Sequence, residues 1–136
     1  MSKVFLGGTC AESKWREELI PLLKIDYFNP VVEGWTEECI EIENREKNEL
    51  CDIHLYVITS EAVGCYSIAE AIDSLYQTNK RMVFQVLPDG FDKAQLKSLN
   101  AVCKLINEKE SDASASMTGD LALLAIYLNF LGRPHD

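Results

Sequence analysis

Three short apolar runs, each closed by turn residues and followed by a stretch with helical signals, constrain this chain most. Val4-Phe5-Leu6 ends in Gly7-Gly8-Thr9, Ile53-His54-Leu55-Tyr56-Val57-Ile58 ends in Thr59 and a loop, and Met82-Val83-Phe84-Gln85-Val86-Leu87 ends in Pro88-Asp89-Gly90. An apolar run bounded in this way reads as a buried strand. Strands alternating with helices imply a parallel sheet covered by helices on both faces. The expected fold is one α/β domain over residues 1–136, doubly wound, three-layered, with about five strands in its parallel sheet.

The helices carry their own punctuation. Ser13 is placed to cap a helix beginning at Lys14, with Glu17 in its first turn. A short strand around Tyr27-Phe28 closes at Asn29-Pro30, residues that favour turns. Thr36 begins a second helix that runs to about Leu50. A third runs from Ser67 to about Thr78. A fourth spans Asp92 to about Asn107, with Leu96, Leu99, Val102, Cys103 and Ile106 at helical spacing. The small polar stretch 111–116 is a loop or a short edge strand. Thr118 caps a last helix, Gly119 to about Leu131, stopped by Gly132-Arg133-Pro134.

Charge and composition exclude several classes. The net charge of −9 repels phosphate backbones, which argues against a nucleic-acid partner. No apolar run approaches the roughly 20 residues of a membrane helix, and the first residues read as a strand, not a signal peptide. The five cysteines are odd in number, and no two lie at CxxC spacing. They read as reduced thiols of a cytoplasmic protein. His54 and His135 give no metal-ligand pattern, and His54 reads as a packed residue of its strand.

Several groups carry chemistry, each beside a plainer role. Gly7-Gly8-Thr9 lies between a strand and a helix, where successive amides can cradle an anion, or where a tight turn needs positive φ. Trp15 and Trp35 follow ligand-side loops, and either stacks on a base or packs inside. Ser67-Ile68-Ala69-Glu70 fits the S-x-x-E capping box. In that role Glu70 is occupied. Alternatively, a carboxylate in the first turn of that helix is held ionised by the helix dipole and serves as a nucleophile. The acidic helix from Thr36 to Leu50 is mostly a solvated face, with an inward carboxylate able to reach the site.

In order, Val4-Phe5-Leu6-Gly7-Gly8-Thr9, Ser13-x-Trp15-Arg16, Phe28-Asn29-Pro30-Val31-Val32 with Trp35, Leu55–Thr59 and Tyr66–Glu70 resemble the nucleoside 2-deoxyribosyltransferase-like proteins. The resemblance covers about residues 4–90. It implies a flavodoxin-like or Rossmann-like sheet and cleavage of an N-glycosidic bond in a nucleoside or nucleotide. It makes Glu70 the nucleophile and Gly7, Gly8 and Thr9 the substrate loop, with Asn29 beside it. Ser13, Arg16 and Ser67 become candidates for a 5′-phosphate, and Glu43 for the second acid. The chain departs from these relatives in having Tyr66-Ser67-Ile68-Ala69 where they place Gly-x-Gly.

The expected activity is therefore cleavage or transfer at the N-glycosidic bond of a nucleoside or nucleoside monophosphate. A carboxylate pair suffices for an oxocarbenium-like transition state, so no metal or organic cofactor is expected. Two alternatives are a TIR-like cleavage of NAD and a non-catalytic nucleotide-binding or interaction module. The last helix, apolar nearly all round, points to burial in the core or in a homo-oligomer interface.

Overall fold

The structure is a computed structural model that describes residues 2–10, 13–62, 64–77, 79–109, 112–117 and 119–133. Its strands are β1 (Lys3–Gly8), β2 (Asp26–Phe28), β3 (Ile53–Ile58), β4 (Arg81–Val86) and β5 (Ala113–Ser116). They form one sheet in the order β2-β1-β3-β4-β5, with every neighbouring pair parallel. The helices are α1 (Trp15–Leu19), α2 (Glu37–Arg45), α3 (Cys65–Leu75), α4 (Lys93–Asn107) and α5 (Leu121–Leu131). This is the doubly wound, flavodoxin-like architecture expected from the alternation of elements.

Strand alternation divides the core in two. Val4, Leu6, Ile53, Leu55 and Val57 pack against Trp15 and Leu19 of α1 and Leu124 and Leu128 of α5. Tyr56, Ile58, Met82, Phe84 and Val86 pack against Ala71 and Leu75 of α3 and Leu99, Cys103 and Ile106 of α4. α5 buries Leu124, Ala125, Leu128 and Leu131 and leaves Leu123, Ile126, Tyr127 and Phe130 exposed.

Three helix starts need correction. Ser13 does not cap α1: Lys14 holds the N-cap position without a side-chain bond, and Ser13 Oγ instead accepts from Thr59 Oγ1 at 3.0 Å. α3 begins at Cys65, because Gly64, with φ 75°, turns the chain three residues earlier than Ser67 would. Ser67 therefore lies inside the helix, and the Ser67–Glu70 capping box does not form. At α5, Asp120 Oδ1 accepts from the Ala122 and Leu123 amides at 2.9 and 3.1 Å. The expected cap Thr118 lies outside the described residues, as do Thr78, Pro134 and His135. The stretch near residue 115 is an edge strand, pairing Met82↔Ala113 through Gln85↔Ser116. On its outer side the Asn107 carboxamide bonds both the Ala115 carbonyl, at 3.0 Å, and the Ala115 amide, at 2.9 Å.

Past α2 the chain makes one π-helical turn, Glu46–Leu50, before β3. The Cys51 amide bonds the Glu46 carbonyl at 2.7 Å, one residue further back than an α-helix would take it. Asp52 accepts from the Lys3 amide at 2.8 Å and the Ser2 hydroxyl at 2.9 Å, at the end of the sheet remote from the loops that follow the strands.

Candidate active site

β1 leads to α1 on one face of the sheet and β3 leads to α3 on the other. The crevice outside the carboxyl ends of these two neighbours is where open parallel sheets take ligands. The close approach of β1 to β3 explains both glycines. A Cβ on Gly7 would stand 2.8 Å from two ring carbons of Tyr56, and one on Gly8, at φ 116°, would stand 2.1 Å from the Val57 carbonyl oxygen. Thr9 completes the turn: its amide donates to the Val57 carbonyl at 2.8 Å and its hydroxyl accepts from the Thr59 amide at 2.9 Å.

Two residues expected near a ligand are turned inward. Trp15 is 2% exposed and donates its indole N–H to the Thr9 carbonyl at 2.9 Å. Arg16 lies over the Trp15 ring and is 4% exposed. Its guanidinium donates to the carbonyls of Leu6 at 2.9 Å, Thr9 at 2.8 Å and Gly8 at 3.3 Å. A planar five-donor fork suits this work, and it ties the β1 loop to α1. The side chain still borders the cleft described next.

That cleft, of about 280 Å³, is lined by Phe5, Gly7, Gly8, Cys10, Arg16, Pro30, Val31, Val32, Trp35, Glu43 and Glu70. An adjoining hollow of about 270 Å³ shares Cys10, Arg16, Val31 and Val32 and adds Ser13, Glu17, Asn29 and Glu33. The two form one groove, close to the lower size of small-molecule sites. Trp35 is 58% exposed on its wall. Asn29 folds its carboxamide oxygen back onto the Val31 amide at 3.1 Å. Thr9 and Ser67 are not among the residues that line the groove; Ser67 sits in the first turn of α3.

The electrostatics of the cleft are set by three side chains. Glu70 Oε2 accepts from Lys47 Nζ at 2.7 Å, and both side chains are mostly shielded from solvent. Burial works against the Lys47 charge, but the bond to Glu70 and the neighbouring Tyr56 outweigh it and raise its pKa. Glu43, one helical turn before Lys47, has its pKa raised, first by burial and then by the negative charge of Glu70. Two carboxyl groups thus share the cleft, one paired with a cation and the other disposed to hold a proton.

Lys47 had no signal in the sequence beyond its i,i+4 spacing from Glu43, because its partner lies 23 residues away. Two cysteines are inert: burial pushes the Cys51 thiol up to about 12 and the Cys103 thiol up to about 11. All five are free thiols. Among the described residues no group of three His, Cys, Asp or Glu side chains gathers to hold a metal ion, and no helix is long and apolar enough to cross a membrane.

Sheet order and switch-point cleft define a flavodoxin-like domain with a groove that holds two carboxyl groups. A family model described as nucleoside 2-deoxyribosyltransferase like matches residues 1–90, which hold β1 through β4, Glu43, Lys47 and Glu70. The chain belongs to that family. Searches of curated proteins and of solved structures found no match.

Proposed function

We propose that this protein cleaves or transfers the N-glycosidic bond of a nucleoside or nucleoside monophosphate, with Glu70 as nucleophile and Glu43 as the second acid. The observation that carries the reading is the meeting of Glu70 and Glu43 in one cleft at the β1/β3 switch point. A Glu70 oxygen bonds to the anomeric carbon as the carbon–nitrogen bond breaks, and the electron pair leaves with the base. Glu43, whose raised pKa favours the protonated form, gives its proton to the departing nitrogen. The glycosyl-enzyme then passes its sugar to an acceptor base or to water. Trp35 stacks on the base, and Gly7 and Gly8 allow the sugar to approach the backbone closely.

The test is a panel of nucleosides and nucleoside monophosphates, with and without acceptor base, analysed for released base. Glu70→Gln is expected to abolish release with its circular dichroism and melting temperature retained. Activity persisting in that variant ends the assignment. NAD belongs in the same panel, with free nicotinamide as its readout. The Lys47–Glu70 ion pair also fits a module that binds nucleotides without turning them over. Saturable binding with no product from any compound would favour that reading.

A further inference from the structure

Behind Glu70 runs a chain of buried hydrogen bonds that the reaction above leaves unused. It starts at the Lys47 carbonyl. In an α-helix that oxygen would accept from the Cys51 amide, but the π-helical turn sends Cys51 to Glu46, and the Asp52 amide goes to the Lys3 carbonyl. His54 Nε2 lies 2.6 Å from the freed oxygen. A carbonyl only accepts, so Nε2 carries the proton and Nδ1 of the neutral ring is an acceptor. Ser74 Oγ, 2.8 Å from Nδ1, must then donate. Having one proton, Ser74 can only accept from the Tyr56 hydroxyl, also at 2.8 Å. The Lys47 ammonium lies beside this end of the chain, 6.0 Å from the centroid of the Tyr56 ring. The chain begins on the backbone of Lys47 and ends at a ring beside its side chain.

We infer that Lys47 is a positioning residue for Glu70, aimed by the His54–Ser74–Tyr56 chain, so that Oε2 is held and Oε1 is left to form the bond to the sugar. The inference rests on the function proposed above. His54, Ser74 and Tyr56 are all buried, and no buried side-chain polar atom among the described residues lacks a partner. A fully satisfied buried network of this kind specifies one geometry. The π-helical turn then has a reason: it releases the carbonyl that orients the chain.

The experiment compares wild type with Lys47→Ala and Tyr56→Phe on whichever nucleoside the panel identifies. Lys47→Ala is expected to lose about 100-fold in kcat, the scale of a misplaced reacting group, with KM little changed, and ethylammonium is expected to restore part of the loss. Tyr56→Phe is expected to lose about tenfold in kcat, about one hydrogen bond's worth. A rise in KM at constant kcat, or a loss that ethylammonium leaves untouched, would overturn the positioning role. If the wild type turns over no nucleoside, the proposed function and the positioning role of Lys47 fall together. Nitrogen-15 spectra of His54 judge the ring separately. A single Nε2–H tautomer in wild type that persists in Ser74→Ala supports it, because the Lys47 carbonyl holds the proton, and an Nδ1–H tautomer in wild type overturns it.

Discussion

Mild acid is expected to destabilise this protein through His54. The ring is completely buried. Burial, joined by the charges of Lys80 and Lys47 and opposed by its bond to the Lys47 carbonyl, pushes its pKa down from 6.5 to about 4. In the unfolded chain the same ring titrates near its ordinary value. Between the two pKa values the unfolded state holds the extra proton, so stability is complete above about pH 6.5 and is lost as the pH falls towards about 4. The gap of roughly 2.5 units, at 1.36 kcal/mol per unit, corresponds to about 3 kcal/mol, a large share of the roughly 5–15 kcal/mol that holds a domain together. Protonated Nδ1 would face a Ser74 hydroxyl that is already donating to it, so charging the ring also breaks the Ser74–Tyr56 order.

Urea unfolding of wild type and His54→Gln at several pH values between about 7.5 and 4.5 isolates this contribution. Glutamine is able to bond both neighbours but does not titrate. Glu43 acts in the opposite sense, since its raised pKa lets the folded state take up a proton first, but it is present in both proteins and cancels in the difference. Wild type is expected to lose about 2.5 kcal/mol more than the variant across this range, the rest of the gap appearing only below about pH 4.5. Parallel loss in the two proteins would refute the reasoning, whatever their absolute stabilities.

Three further outcomes follow from particular contacts. Gly8→Ala is expected to cost at least about 2 kcal/mol in urea unfolding, because its methyl group would meet the Val57 backbone at positive φ; an unchanged midpoint would show that β1 and β3 can separate. Asp120→Ala removes the acceptor for the second and third amides of α5 and is expected to cost about 1 kcal/mol, with the loss read from the thermal midpoint. Trp35, half exposed on the cleft wall, is expected to be quenched when a nucleoside binds, whereas buried Trp15 is not; a quench that survives in Trp35→Phe would move the base elsewhere.

The sheet was legible because Val4–Leu6, Ile53–Ile58 and Met82–Val86 are apolar on both faces, which only a covered parallel sheet satisfies. β5 was half hidden: Ala-Ser-Ala-Ser has little strand preference of its own and takes its shape from pairing with β4. Ser13 and Ser67 misled for different reasons. The positive-φ turn at Gly64 starts the helix ahead of Ser67, and the Ser13 hydroxyl is taken by Thr59, a partner 46 residues away that local spacing cannot show. At the candidate site, Glu70, Glu43, Trp35, Gly7 and Gly8 meet in the cleft, but local spacing did not show that the Arg16 fork closes on carbonyls or that Trp15 is buried. Lys47 was illegible, because an ion pair between a π-helical turn and a distant helix leaves no periodic trace.

Asn107 has a consequence for the sheet beyond its own contacts. Its carboxamide presents to Ala115 the same donor and acceptor that another strand would. The rim of the sheet is thereby sealed at its middle residue by a single side chain. A foreign backbone arriving there would have to displace a mate already in place, which is how a short, featureless strand avoids becoming a template for fibrous growth.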